Sequence, residues 1–77
     1  MINKNMVYKF TTIIQQDGKW FVARCVELGV VSQGKSIEQA QKNLKEAVGL
    51  YLQDSPRPRK EMFSQPPLVT TFELNYA

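Results

Sequence analysis

The sequence predicts a small α+β fold in the order β-β-β-α-β, and three observations carry that prediction. Two runs rich in β-branched and aromatic residues flank the pair Asp17-Gly18. A capped, amphipathic stretch begins near Ile37. After a proline-rich connection, the run "LVTTFEL" alternates apolar and polar positions from Leu68 to Leu74. Together these describe a sheet with one helix on one of its faces.

The first strand is expected over about residues 7–15, "VYKFTTIIQ". Asp17-Gly18 then marks a hairpin, because glycine accepts the positive φ that tight turns require. The return strand covers about residues 19–26, "KWFVARCV". Its alternate positions put Trp20, Val22, Arg24 and Val26 on one face and Phe21, Ala23 and Cys25 on the other. One set should meet the helix, and the other, with an arginine among large apolar groups, should be half covered or open to a partner. Glu27-Leu28-Gly29 turns the chain into a short third strand near residues 30–33, ended by Gly34.

"SIEQ" at Ser36–Gln39 fits a capping box, in which Ser36 accepts a late N–H and Gln39 reaches back to the cap's own N–H. Behind it Ile37, Ala40, Leu44, Ala47, Val48, Tyr51 and Leu52 recur at helical spacing, which predicts a helix over about 37–53. Gly49 costs about 1 kcal/mol relative to alanine in a helix interior, and it would permit a neighbouring backbone to approach closely. All four prolines fall in the connection 54–67, where Pro56 and Pro58 forbid further helix. Pro66-Pro67 favour an extended entry into a fourth strand at about 68–75.

A chain of 77 residues makes one domain, 1–77, with a thin core; domains of this size bury roughly 60% of their unfolded surface. Such domains usually need a staple. Cys25 is the only cysteine, so no disulfide can form within the chain. One cysteine without any histidine makes a poor zinc site. Self-association is the remaining device, and a homodimer or higher homo-oligomer is expected. The start "MINKNMVYKF" lacks the apolar core of a signal peptide, and no apolar run reaches membrane-spanning length. With the lone thiol, this leads to the expectation of a cytoplasmic protein without a membrane partner. The net charge of +3 permits nucleic-acid contact without requiring it.

From Asp17 to Leu52 the stretch "DGKWFVARCVELGVVSQGKSIEQAQKNLKEAVGLYL" resembles the N-terminal domain of HicB-family antitoxins, the partners of HicA-type toxins. The resemblance rests on the strand after Asp17-Gly18, Cys25 followed by Glu27-Leu28, "SQGKS" at Ser32–Ser36 and the helix Ile37–Val48. "PPLVTTFEL" is similar to the last strand of short family members, so coverage runs from about Tyr8 to Leu74. The resemblance implies a partial RNase H-like fold, with a three-stranded antiparallel sheet, one helix packed on it and a fourth strand. It also implies an antitoxin of a type II toxin–antitoxin system that binds and occludes a HicA-like mRNA interferase. Many members carry a C-terminal DNA-binding domain, whereas residues 54–77 here read as loop plus strand. Operon repression by this chain alone is therefore not expected.

An RNase H-like shape invites a nuclease hypothesis, which the residues do not favour. Two-metal cleavage needs several carboxylates converging on metals roughly 3.5–4 Å apart. Among the acids, Asp17 belongs to a turn, Glu38 and Glu46 lie on the polar side of the helix, and the first strand contains none. Cys25 has no histidine to act as its base and reads as a small core hydrophobe. Lys35 and Ser36 beside Gly34 lack the spacing of a phosphate-binding loop. No catalytic residue, metal or cofactor is expected, and the chain reads as a non-enzyme.

The expected toxin-contact residues are Trp20, Val22 and Arg24 on a strand face, with Glu27, Leu28, Gln33 and Lys35 from the loop and third strand. Tryptophan and arginine are both enriched at interface hot spots. This choice requires the helix to cover the Phe21/Ala23/Cys25 face. "RPRK" supplies Arg57, Arg59 and Lys60 as a weaker candidate for a nucleic-acid backbone, against the alternative of a solvated linker. The competing functional reading is a stand-alone oligomeric binding module for nucleic acid or a small anion.

Overall fold

A computed structural model describes residues 8–54 and 67–76 of the chain. It contains β1 (Thr12–Asp17), β2 (Trp20–Cys25), β3 (Val31–Gly34) and α1 (Ile37–Asp54). The strands form one antiparallel sheet in the order β1-β2-β3. Helix α1 covers one face, so the α+β arrangement is the one expected.

The hairpin closes at the expected glycine, but its central pair is shifted one residue from the expected Asp17-Gly18. Asp17 pairs with Trp20, leaving Gly18 and Lys19 as the central turn residues. Gly18 has φ 62° and no non-glycine among the described residues, Lys19 included, has positive φ, which is the pattern of a type II′ turn. β1 starts later than expected, at Thr12, and runs to the turn itself. The expected start at Val7 lies outside the described residues. The loop from β2 to β3 is held by two backbone bonds. Cys25 N–H donates to the Val30 carbonyl and Gly29 N–H to the Cys25 carbonyl, both at 2.8 Å. Gly29 has φ 74°, a value that favours glycine.

The core is made of small contacts. Ala23, Cys25, Ala40, Leu44 and Val48 are buried, with Phe10, Ile14, Phe21, Leu28, Val30 and Leu52 packed around them. Register explains the set: Thr12, Ile14 and Gln16 oppose Cys25, Ala23 and Phe21, so these six share the helix-side face. Ser32 and Gly34 continue that face on β3. Ile37 and Tyr51, expected in the apolar stripe, are exposed. An 18-residue helix is about 27 Å long, whereas six-residue strands span about 20 Å, so the helix is longer than the strands it covers.

Helix entry is capped, with one difference from expectation. Ser36 Oγ accepts the Gln39 N–H at 3.0 Å, and the Ser36 carbonyl accepts the Ala40 N–H at 2.9 Å. The Gln39 side chain reaches back to the N–H of Lys35, at 2.6 Å, rather than to that of Ser36. Asn43 Nδ2 donates to the Gln33 carbonyl at 2.8 Å, tying the second helical turn to β3.

Gly34 does more than end a strand. A Cβ there would lie 2.5 Å from the Ala40 nitrogen and 2.9 Å from its Cα. The helix backbone therefore rests directly on the end of β3. Pro67–Tyr76 is exposed along its whole length and joins no sheet of the single chain. It carries the residues expected as a fourth strand, and most of the connection 54–67 lies outside the described residues.

The two glycines near the helix should respond oppositely to alanine. Gly34→Ala must displace backbone and is expected to lower stability by about 1–3 kcal/mol, as overpacking does. Within the single chain a Cβ at Gly49 meets nothing within 4 Å, so at dilutions where copies are apart Gly49→Ala should raise stability by up to about 1 kcal/mol. Denaturant midpoints of the two variants check this; shifts of the same sign would contradict the packing described.

Candidate binding surface

The sheet face away from the helix is built by the same register. Ile13, Arg24 and Val31 form one cross-strand row, and Gln15, Val22 and Gln33 the next. Trp20 stands at the turn end opposite Asp17. Direct cross-strand neighbours have Cα atoms about 4.5–5.5 Å apart, so Arg24 sits between two β-branched side chains. Trp20 is 41% exposed, Ile13 40% and Val31 55%. The condition attached to Trp20 and Arg24 is met, because Ala23 and Cys25, their neighbours on the same strand, are the residues buried under the helix.

Of the expected contact residues, Trp20, Val22, Arg24 and Gln33 gather on this outer face. Lys35 is exposed one residue beyond β3 and adjoins its margin. Ile13 and Val31 complete the face. They are legible only once the register is known, since nothing in their own segments distinguishes inward from outward.

Glu27 and Leu28 are engaged elsewhere. Leu28 packs against the core. Glu27 Oε1 accepts the Thr11 N–H at 2.8 Å and Oε2 accepts the Thr11 hydroxyl at 2.8 Å. The Thr11 carbonyl in turn accepts the Val26 N–H at 2.8 Å. The loop after β2 is thereby fastened to the approach to β1, and Thr11, a residue without any motif to announce it, supplies all three contacts. Cys25 is a buried free thiol whose Sγ lies 3.9 Å from Glu27 Oε1.

Arg57, Arg59 and Lys60 lie outside the described residues. Among the described residues no three histidine, cysteine or acidic side chains gather into a possible metal site. No helix among them is long and apolar enough to cross a membrane. No family model, curated protein or solved structure matches the chain.

The Glu27 lock makes stability depend on pH. Burial pushes the Glu27 pKa up, but the Thr11 N–H, the Thr11 hydroxyl, its own amide and the Cys25 thiol outweigh this and hold it below 4.5. The unfolded chain therefore binds the proton more readily. The contribution is fully present above pH 4.5 and disappears as pH falls through the lower folded-state value. Glu27→Gln should lose less stability than the parent across that acid limb, as read from denaturant midpoints against pH. Parallel curves for the two proteins would show that the carboxylate is not held as described.

Proposed function

We propose that the chain is an antitoxin similar to the HicB family, which binds a HicA-like mRNA interferase and blocks it sterically. The observation that carries this reading is the outer sheet face. Ile13 and Val31 flank Arg24 across the strands, and Val22 and then Trp20 continue the same face along β2, on a sheet whose other face is covered by α1. Aromatic and arginine anchors within an apolar surround are the composition of an interface centre. Gln33 and Lys35 supply a polar margin suited to a rim.

The mechanism requires no turnover by this chain. Occlusion needs a surface whose shape is set before the partner arrives, so that little ordering cost falls on binding. The hairpin, the Glu27–Thr11 lock and the capped helix all serve that end. The resemblance of "CVELGVVSQGKSIEQAQKNLKEAV" to short HicB-family members supplies the class of partner, and the covered and uncovered sheet faces supply the surface.

Co-expression with a small basic HicA-like toxin tests the proposal. A stable complex should form, and RNA cleavage should stop at one-to-one stoichiometry. Trp20→Ala and Arg24→Ala should each weaken the complex by about 2 kcal/mol or more, roughly 30-fold, with denaturant midpoints near those of the parent. Cleavage unaffected by excess chain would refute the reading. A salt-dependent shift of an RNA probe by the chain alone would instead support a nucleic-acid-binding module.

A further inference from the structure

Among the described residues β1 is an edge strand, with β2 on one side only. Beside it a groove of about 390 Å3 opens between the sheet and the helix, lined by Tyr8, Phe10, Thr12, Leu44, Val48 and Gly49 among others. The other edge offers no such space, since the helix backbone lies against β3 at Gly34. Gly49 forms part of the groove wall, and a Cβ on it would meet nothing within 4 Å. A helix-interior glycine facing open space carries an intrinsic penalty without any contact in the single chain to explain it.

The chain also contains a segment with the pattern of the missing neighbour. Leu68, Phe72 and Leu74, with Thr70 and Tyr76, fall on one side of an extended run, alternating with Val69, Thr71, Glu73 and Asn75. Leu68 is 89%, Phe72 86% and Leu74 75% exposed. We propose that residues 67–76 of one copy add as a strand to the β1 edge of a second copy, laying Leu68, Phe72 and Leu74 into its groove, and that the exchange is reciprocal.

Connection length favours a partner's groove over the chain's own. Gly49 and Phe10 line the same groove, so α1 ends close to the start of β1. A strand running parallel to β1 in the same chain would need only a short link, and helix-to-strand connections commonly take about 2–6 residues. The chain instead places residues 55–66 there, including Pro56, Pro58 and Pro66. Twelve residues can span up to about 40 Å, far enough to reach a second copy. Reciprocal exchange gives a closed two-fold dimer and buries apolar surface that the five buried core residues among those described leave in water. The proposal is independent of the antitoxin reading, because it concerns the chain without a toxin.

The experiment is sedimentation or light scattering of the full chain and two variants over a dilution series, with far-UV circular dichroism to confirm folding. Phe72→Asp spoils the strand but keeps the groove; Gly49→Trp fills the groove but keeps the strand. Gly49→Leu replaces it should the tryptophan variant fail to fold. The full chain is expected as a dimer and each variant as a monomer. Mixing the variants should restore a dimer, weaker than the parent's, because one intact strand meets one intact groove. A monomeric parent, or a variant that stays dimeric, overturns the proposal. A mixture that stays monomeric also overturns it, since the strand would then belong to its own chain's groove.

Discussion

The close seat of α1 on the sheet governs the rest of this structure. Ala23, Cys25, Gly34 and Ala40 bring two backbones together with almost no side-chain volume between them. Larger residues at these positions would lift the helix and open a void that a core this small could not fill. With the seat this tight, the helix commits to the Phe21/Ala23/Cys25 face, and the alternation of β2 turns Trp20, Val22 and Arg24 the other way. The same seat tilts the space on the molecule: β3 is closed against the helix, and the β1 side stays open.

Two surfaces of different character follow. The outer face is mixed in polarity and carries an arginine between Ile13 and Val31, which suits a partner recognised by shape and charge together. The groove beside β1 has an apolar floor with Gln41 and Lys45 at its wall and is bordered by a strand edge, which suits another strand. In the reading proposed here, one surface serves the toxin and the other a second copy of the chain. Between them the Glu27–Thr11 bonds hold the loop against the sheet, so a residue resembling a contact group acts as a fastener.

Much of this architecture was legible beforehand, and the reasons are local. Asp17-Gly18, the Ser36 cap and the i, i+4 series Ala40, Leu44, Val48 and Leu52 each act over a few residues, so short windows contain their whole cause. What escaped depends on register and on through-space partners. Ile13 and Val31 join the outer face only because they flank Arg24 across strands. The role of Glu27 depends on Thr11, sixteen residues away. Gly34 read as a strand terminator because nothing in its own segment shows the helix returning onto it. The apolar stripe overshot at Ile37 and Tyr51, since helical spacing knows nothing of where the sheet ends.

Trp20 and Cys25 are the only tryptophan and the only cysteine, and they lie on opposite faces of the same strand. One sample therefore reports both faces. The account predicts that a small soluble quencher reaches Trp20 in the folded, toxin-free chain, while a thiol reagent modifies Cys25 only at the rate of unfolding. A shielded Trp20 together with a rapidly modified Cys25 would mean that the helix covers the other face.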